Sequence, residues 1–235
     1  MKCKGDETMV NVAMDGPVGA GKSSVARECA RRLGFIYVDT GALYRSCALF
    51  CVNKGVEISE ANEAVIAETL EKELTLTIDL IDGEQHVYVN GEDVSDKIRT
   101  LEISKAASAI SALPAVRKYL LDTQRSIAAN NNVIMDGRDI GTVILPNADL
   151  KIFITAKPEI RAKRRYDELV AKGSNVTLGE VLVEVNRRDY NDTHRKEAPL
   201  KQAEDAILID TSDIDFEETV SGITDLIMSR YESLG

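Results

Sequence analysis

The sequence has little of what disulfide-linked, metal-binding and membrane proteins require. Its four cysteines include no CxxC pair and it has two histidines, which is the pattern of neither a disulfide framework nor a zinc site. Cys47 and Cys51 are four positions apart in a predicted helix, where we expect core packing and keep a metal pair as the alternative. No apolar run is long enough to span a membrane. Residues 1–8 carry charges rather than the apolar stretch of a secretory signal. We therefore expect a reduced, cytoplasmic protein without membrane contact.

Basic residues are also in the minority, with 29 Lys and Arg against 39 Asp and Glu and a formal net charge of −10. General nucleic-acid binders gain most of their affinity by neutralising phosphates, so the composition argues against that class. Arginines nevertheless gather at 161–165 and 187–195. A charge run is usually a solvated face, but two local arginine clusters in an acidic protein favour a small, highly anionic ligand held in a cleft. Nothing in the sequence demands a partner chain, so we expect a monomer.

Five short apolar runs alternate with helical patterns along the chain. The runs are residues 9–14, 35–38, 132–135, 150–154 and 206–209. Residues 23–33 have helical periodicity, and Pro158 suits the first turn of a helix that reaches about residue 172. Apolar strands separated by helices are typical of an α/β fold with a parallel sheet buried on both faces. A length of 235 residues suits one domain, 1–235.

One segment departs from this order. In residues 74–80 (LTLTIDL) apolar and polar side chains alternate, which is the period of a half-buried strand. Asp82-Gly83 offers a turn, residues 86–89 a returning strand, and Asn90-Gly91 a second turn. The pattern predicts an antiparallel insertion in an otherwise parallel fold.

A phosphate-binding loop is indicated near the start of the chain. Residues 16–23 (GPVGAGKS) match GxxxxGK[ST] between an apolar strand and an amphipathic helix. The glycines let successive backbone N–H groups point at phosphate oxygens, and the helix N-terminus adds positive potential. Lys22 is placed to reach the β- and γ-phosphates, and Ser23 or Ser24 to bind Mg²⁺. The predicted ATP-binding residues are Gly16, Pro17, Val18, Gly19, Ala20, Gly21, Lys22, Ser23 and Ser24.

The loop alone leaves the reaction open between a GTP switch, a nucleotide-driven machine and a kinase. A GTPase reads guanine with an N-K-x-D sequence. The nearest match is Asn53-Lys54-Gly55-Val56, which lacks the aspartate and follows a predicted helix rather than a strand. The GTP-switch interpretation is thereby weakened.

Polar residues follow two further predicted strands. Thr40 and Arg45 lie across a loop-to-helix junction, where a hydroxyl, backbone N–H groups and a guanidinium can converge on an anion. Asp136, Arg138 and Asp139 follow the run at 132–135. Because ligands bind beyond the carboxyl ends of parallel strands, we expect these groups to face the crevice of the phosphate loop. Asp136 can then orient Mg²⁺ or its waters, Arg138 can hold a phosphate and Asp139 can accept hydrogen bonds.

A third polar group comes later in the chain. Arg188, Asp192 and Arg195 have the spacing i, i+4 and i+7, which places them on one face of a predicted helix. A surface salt-bridge ladder is the simpler explanation, although such ladders contribute little stability. A role on the acceptor side of the crevice is the functional alternative.

Six motifs in this order resemble one family over nearly the whole chain: GPVGAGKSS, VDTGALYR, IRTLEISKAASAISALPAVR, MDGRDIGTV, KIFITA and RRDYNDTHR followed by APL. They resemble the bacterial-type cytidylate kinases, which are P-loop nucleoside monophosphate kinases. The resemblance implies an α/β P-loop kinase fold with a five-stranded parallel core sheet flanked by helices. It also implies an antiparallel β insertion in a monophosphate-binding region at about 40–128 and a helical lid at about 157–190. The implied reaction is ATP-dependent phosphorylation of CMP and dCMP with Mg²⁺.

The resemblance implies acceptor contacts residue by residue. The CMP phosphate contacts fall on Thr40, Arg45, Arg138 and Arg195, the cytosine contacts on Ser108, Arg117 and Asp139, and the sugar contacts on Arg188 and Asp192. Asp139 and Ser108 would accept from the cytosine amino group and Arg117 would donate to the ring, whereas uracil has no amino donor. Thr40 departs from the serine expected there. The loop reads GKSS where the family often has GKGT, so the metal hydroxyl is Ser23 or Ser24.

Three arginines of a predicted helix look like lid residues. Arg161, Arg164 and Arg165 are spaced i, i+3 and i+4 on one face, from which they would close over the transferring phosphoryl group. The implied catalytic residues are Lys22, Arg138, Arg161 and Arg165. The acceptor phosphate would attack as an ionised oxyanion, so no histidine base is expected.

Two alternatives stay open. A kinase on the same scaffold could phosphorylate UMP, AMP or a small metabolite; Asp139 and Ser108 separate these, because AMP should fit poorly and UMP lacks the amino contact. A P-loop regulatory NTPase, of a different class, would hydrolyse nucleotide slowly and phosphorylate nothing. Acceptor-dependent release of ADP would exclude it.

Overall fold

The computed structural model describes residues 9–81 and 84–233. In chain order the elements are β1 (Asn11–Asp15), α1 (Lys22–Leu33), β2 (Ile36–Asp39), α2 (Thr40–Asn53), α3 (Glu63–Glu73), β3 (Leu76–Ile81), β4 (Glu84–Val89), β5 (Glu92–Asp93), α4 (Leu101–Ile110), α5 (Pro114–Asn130), β6 (Val133–Gly137), β7 (Leu150–Thr155), α6 (Pro158–Ala171), α7 (Leu178–His194), β8 (Ile207–Asp210) and α8 (Phe216–Glu232). Cys3 and the turn predicted at Asp82-Gly83 lie outside the described residues. Within 9–81 and 84–233, no helix combines the length and apolarity needed to cross a bilayer.

Five strands form a parallel sheet in the order β2-β6-β1-β7-β8. β1 lies at the centre, and its last residue, Asp15, is in register with Gly137 at the end of β6. Each strand begins and ends within two residues of a predicted apolar run, and all residues of β6 are buried. The prediction of a five-stranded parallel core is confirmed. The carboxyl ends of β1, β2 and β6 therefore meet at one edge of the sheet.

Helices cover both faces of this sheet. α1 buries Val25 and Ala26 against one face, where α8 packs beside it through Val220. The opposite face is covered by α5 and by a π-helical turn at Ile140–Ile144. Side chains of β1 alternate between these two cores, because successive residues of a strand point to opposite faces. The flanking helices of the predicted fold are confirmed.

The predicted antiparallel insertion is a separate three-stranded sheet in the order β3-β4-β5. β3 and β4 pair antiparallel along their length. The turn at Asn90-Gly91 has φ angles of 52° and 81°, the two positive angles of a tight hairpin turn that asparagine and glycine adopt readily. The alternation of residues 74–80 and the Asn-Gly pair therefore predicted this segment correctly.

The insertion shares a hydrophobic core with α2, α3, α4 and α5. Cys47 and Cys51 of α2 lie in this core with no exposed surface, beside Leu43 and Leu120. Burial raises the pKa of the Cys47 thiol well above its ordinary value. Among the residues described, no group of three or more His, Cys, Asp or Glu is arranged to hold a metal ion. The two cysteines thus pack as apolar side chains.

α6 and α7 pack against each other through a small core that includes Leu169 and Val185. α6 begins with Pro158 in its first turn, as predicted. α7 begins with a capping box, in which Thr177 and Glu180 satisfy each other's backbone N–H groups. This helix pair occupies the region in which the lid was predicted.

Leu120→Ala should lower the free energy of unfolding by about 2–5 kcal/mol, because it leaves a cavity where a fully buried side chain lay. Chemical denaturation followed by circular dichroism measures the change. Leu178→Ala, at a position 43% exposed, is the matched control and should change stability by less than about 0.5 kcal/mol. Equal losses in the two variants would contradict the core described here.

Candidate active site

The phosphate loop connects β1 to α1 and is pressed against β7. A Cβ added to Gly16 would lie 1.9 Å from the carbonyl oxygen of Ile154, and the φ of Gly16 is 147°. Gly19 and Gly21 also have positive φ angles, 73° and 86°. Gly21 is the N-cap of α1 and has no side chain to occupy the first N–H groups of the helix. The loop thus presents backbone donors to an anion, as its sequence predicted.

Lys22 is buried at the start of α1, and its Nζ donates to the carbonyl of Pro17 at 2.8 Å. Burial, together with the positive charge of Arg138, lowers the pKa of Lys22 to about 7. The nearby carboxylates Asp136 and Asp15 oppose this shift. An ammonium in such surroundings is stabilised further by any anion placed in the loop.

Asp136, at the carboxyl end of β6, accepts two side-chain hydrogen bonds. Ser23 Oγ donates to Oδ2 at 2.7 Å and the Tyr37 hydroxyl donates to Oδ1 at 3.1 Å. Burial and the neighbouring charge of Asp39 raise the pKa of Asp136 to about 6. Ser24 is one position further along α1 and is exposed. Of the two candidate serines, Ser23 is the one that contacts the carboxylate.

The end of β2 positions Thr40 and Arg45 at the start of α2. Asp39 is the N-cap and accepts from Ala42 N at 3.0 Å and from Arg45 Nη2 at 2.7 Å. The Thr40 hydroxyl donates to the carbonyl of Asp136 at 2.8 Å. Thr40 therefore connects the end of β2 to the end of β6. Arg45 is paired with Asp39, and a bound anion would have to replace that carboxylate as its partner.

Asp139 is paired with two arginines from distant parts of the chain. Arg195 Nη2 donates to its Oδ1 at 2.9 Å, and Arg117 Nη2 donates to its Oδ2. Arg117 also lies over the ring of Tyr44, 5.7 Å from its centroid. Arg117 comes from α5, Asp139 from the turn after β6 and Arg195 from the segment after α7. The fold brings together these three residues, which the resemblance had named as acceptor contacts.

A second ion pair joins the same turn to α7, since Arg138 Nε donates to Asp192 Oδ2 at 2.7 Å. Arg188 lies nearby, where burial and the charge of Arg138 lower its pKa to about 10. Its buried Nε has no hydrogen-bond partner among the described residues. The spacing i, i+4 and i+7 had predicted that Arg195 shares one helical face with Arg188 and Asp192. That prediction was wrong for Arg195, because α7 ends at His194 and Arg195 is its C-cap.

Ser108 lies across a cleft from α7. The cleft has a volume of about 710 Å³. Its lining comes from α4 and α7 and from the residue after α7, and includes Ser108, Tyr190, Asp192 and Arg195. Three of the predicted acceptor residues, Ser108, Asp192 and Arg195, thus border a space that is large enough for a small ligand.

Comparison with known proteins identifies the family of this chain. A family model described as cytidylate kinase matches residues 12–229. The chain is 44% identical over 233 residues to the cytidylate kinase of Lactobacillus johnsonii, covering 99% of this chain and 100% of the relative. It is 46% identical over 227 residues to that of Carboxydothermus hydrogenoformans, covering 96% and 100% of the two chains. It is 46% identical over 224 residues to that of Mycobacterium leprae, covering 95% and 97%. The chain belongs to the cytidylate kinase family.

In this cytidylate kinase family member the predicted lid arginines have different environments. Arg161 is 3% exposed and donates to the carbonyls of Ala156 and Val18, at 2.7 and 2.9 Å, and to Asp189 Oδ2 at 2.6 Å. Arg165 is half-buried and pairs with Glu168, three positions along the same helix. Arg161 therefore fastens the phosphate loop to α6 and α7, whereas Arg165 contacts only its own helix through this pair.

The third arginine of that face, Arg164, donates to the hydroxyl and carbonyl of Thr211 at 3.0 and 2.7 Å. Its Nη1 would lie 3.9 Å from a Cβ added to Gly21. Arg164 thus also lies next to the phosphate loop. The sequence prediction had named Arg161 and Arg165, and not Arg164, as catalytic.

Sequence reasoning missed two carboxylates of the site. Asp15 accepts from the backbone N–H groups of Ile140 and Gly141, both at 2.8 Å. Asp189 holds Arg161. For Asp15 a signal was present, because it ends an apolar strand immediately before the glycine loop, which is the pattern that identified Asp136. Asp189 has no comparable signal, since it is one of several charged residues on a helix.

Mg·ATP binding at pH 8 should be accompanied by uptake of about one proton. With a pKa of about 7, Lys22 is mostly neutral in the unliganded protein at this pH, and the phosphates favour its charged form. Affinity should accordingly fall as the pH rises from 7 to 9. Isothermal titration calorimetry at pH 8 in two buffers of different ionisation enthalpy measures the uptake.

Lys22→Met is the control, because it removes the titrating amine from the same buried position. It should bind Mg·ATP more weakly and without the proton uptake. An unchanged uptake in this variant would show that another group takes the proton.

Proposed function

We propose that this chain transfers the γ-phosphoryl group of ATP to CMP and dCMP, producing CDP and dCDP. The observation that carries the proposal is the meeting of Asp139, Arg117 and Arg195 at the sheet edge that also bears the phosphate loop. A carboxylate flanked by arginines suits a base that has an amino donor beside ring acceptors. Membership of the cytidylate kinase family supports the same reaction.

The donor side would use the loop from Gly16 to Ser24. Its backbone N–H groups would hold the phosphates, and Lys22 would release the carbonyl of Pro17 to reach the β- and γ-phosphates. The lowered pKa of Lys22 supports this role, because an ammonium that is poorly solvated gains more from a bound anion than an exposed one.

The oxygens at the loop fit Mg²⁺. Ser23 Oγ and Asp136 Oδ2 are 2.7 Å apart, and Mg²⁺ prefers oxygen ligands and is usually held by few protein groups together with phosphates and water. Ser23 would bind the ion directly and Asp136 through a water; Ser24 is the alternative hydroxyl. When bound, the ion supplies charge neutralisation on the transferring phosphoryl group.

The acceptor phosphate would be held by Thr40, Arg45, Arg138 and Arg195. All three arginines are paired with carboxylates, Arg45 with Asp39, Arg138 with Asp192 and Arg195 with Asp139. A phosphate would replace part of each carboxylate contact with stronger charge-assisted hydrogen bonds.

The sugar would contact Arg188 and Asp192. The buried Nε of Arg188, which has no partner among residues 9–81 and 84–233, supports a ligand contact there. A hydroxyl of the sugar can accept from Arg188 and donate to Asp192, so one group would satisfy both side chains.

The cytosine ring would be recognised by Ser108, Arg117 and Asp139. Its amino group would donate to Asp139 and Ser108, and its ring acceptors would face Arg117. In UMP a carbonyl replaces the amino group and would oppose the Asp139 carboxylate. A buried polar group left unpaired costs about 1–3 kcal/mol, which supports a preference for cytosine.

The chemical step requires little more than alignment and charge neutralisation. The acceptor phosphate attacks as an ionised oxyanion, so no general base is needed. Lys22, Arg138 and Arg165 would neutralise the charge that spreads over the transferring group. Arg161 would join them or act by holding the phosphate loop through Val18.

The chain would work as one domain with two regions that close on it. The monophosphate-binding region (40–128) and the lid (157–190) each have a hydrophobic core of their own, which supports movement as units. Closure would exclude water and so limit hydrolysis of ATP.

With a net charge of −10 we propose free nucleotides rather than nucleic acid as ligands, and a monomer as the active form.

Release of ADP from Mg·ATP should be fast with CMP and dCMP and slow with AMP and GMP, with UMP below CMP. A coupled assay with each acceptor in parallel, and one without acceptor, measures this. Asp139→Asn should reduce the preference for CMP over UMP by roughly tenfold. A best acceptor other than CMP or dCMP would favour the related kinases, and acceptor-independent release would favour a regulatory NTPase.

Arg165→Ala should reduce kcat by on the order of 10³ while leaving the protein folded, because Arg165 is only half-buried and pairs within its own helix. Lys163→Ala is the matched control: Lys163 lies on the same helix, is 57% exposed and pairs with Asp167. It should leave kcat and melting temperature unchanged. Normal turnover of Arg165→Ala would remove Arg165 from the chemical step.

A further inference from the structure

The carboxylate of Asp15 has an unusual set of partners. Asp15 is the last residue of β1 and is 5% exposed. Its two oxygens accept from two successive backbone N–H groups, Oδ1 from Ile140 and Oδ2 from Gly141, each at 2.8 Å. One side chain at the base of the phosphate loop is thus joined to the segment that follows β6.

The segment it joins is the π-helical turn at Ile140–Ile144, whose N-cap is Asp139. The carbonyl of Asp139 accepts from Val143 and Ile144, at 2.9 and 3.2 Å, and so begins the turn. An aspartate at an N-cap ordinarily accepts the first N–H groups of its own helix. Here the side chain of Asp139 makes no such bond. Asp15 accepts instead from the first two N–H groups of the turn, and the second of these is one that an N-cap ordinarily satisfies.

Because Asp15 caps the turn, both carboxylate oxygens of Asp139 are available for other partners. They accept from Arg117 and Arg195 in the crevice instead of capping their own turn. The turn also packs closely against its neighbours, since a Cβ added to Gly141 would lie 3.1 Å from Lys151 Cδ and 3.4 Å from Asp15 Oδ2.

The charges around Asp15 are consistent with a structural carboxylate that stays ionised at neutral pH. Burial raises the pKa of Asp15 to about 6, the two backbone hydrogen bonds oppose that rise, and the charge of Asp139 adds to it. Lys22 lies on the other side and favours the ionised form.

We propose that Asp15 is a positioning residue for base recognition, which caps the turn after β6 in place of Asp139 and so keeps the Asp139 carboxylate directed at the base. The inference rests on the proposed function, in which Asp139 reads cytosine. Without the Asp15 cap, the N–H groups of Ile140 and Gly141 would compete for Asp139, and its carboxylate would turn away from Arg117 and Arg195.

Asp15→Asn tests this with almost no change in shape. The amide oxygen can accept from one N–H, but the NH₂ group faces the other. The ratio of kcat/KM for CMP to that for UMP should fall about tenfold, because one buried N–H is left to compete for Asp139. The KM for CMP should rise by more than the KM for Mg·ATP.

Asp149→Asn is the matched control. Asp149 Oδ2 also accepts a backbone N–H of β1, that of Asn11 at 2.8 Å, but at the opposite end of the strand from the crevice. This variant should keep the wild-type CMP:UMP ratio, because its amide oxygen can still accept from Asn11 and the site lies away from the crevice. An equal fall of the ratio in both variants would mean that general loosening of β1, rather than the cap, is responsible.

A double-mutant cycle with Asp139→Asn separates positioning from a merely structural role. If Asp15 acts through Asp139, Asp15→Asn should reduce the ratio in the wild-type background and leave it unchanged in the Asp139→Asn background. A further fall of the ratio in the double variant would overturn the inference. If Asp15→Asn does not fold, Asp15→Glu, which keeps the charge but displaces the oxygens, is compared in the same way.

Failure of this inference is distinguishable from failure of the proposed function. A wild-type protein that does not phosphorylate CMP contradicts the function. A wild-type protein that prefers CMP, together with an Asp15→Asn variant whose CMP:UMP ratio stays within about twofold of it, contradicts the positioning role alone, because an effect this small is no larger than that of a typical neutral substitution.

Discussion

The crevice depends on a balance between opposite charges that are buried together at the carboxyl ends of β1 and β6. Asp15 and Asp136 have pKa values raised to about 6, chiefly by burial, and Lys22 between them has one lowered to about 7. Each of these groups would be costly to bury alone. Buried together, the opposite charges stabilise one another, and a further charge nearby would shift their pKa values. A phosphate chain in the loop is such a charge, so the burial that destabilises each group alone also makes its protonation sensitive to the ligand.

The arginines on the acceptor side follow the same principle. Arg45 and Arg138 are each held 2.7 Å from a carboxylate, and Arg195 is held by Asp139. These pairs hold the guanidinium groups in place before a ligand arrives, which reduces the ordering cost of binding. One hydrophobic core lies under the insertion and another between α6 and α7.

Much of the fold could be predicted because its signals are local. The apolar runs at 9–14 and 132–135, the alternation at 74–80 and the Asn90-Gly91 turn each appear within a few residues. Helical spacing was less informative about Arg161 and Arg165. The spacing i, i+4 places them on one face of α6. It does not say that Arg161 is buried against Val18 and Asp189 while Arg165 is only half-buried and pairs within its own helix. The C-terminal limit of α7 at His194 was likewise beyond a purely periodic argument.

The sequence by itself determined the parallel sheet, the antiparallel insertion, the phosphate loop and the family, since each is carried by contiguous patterns or by ordered motifs. Only the tertiary structure decided which side chains meet. The register of β1 against β6 brings Asp15 to the amides of Ile140 and Gly141. The approach of α5 and α7 to the turn after β6 joins Arg117 and Arg195 to Asp139. Such contacts link residues far apart in the chain, and their geometry follows from strand order and helix packing, which no local pattern encodes.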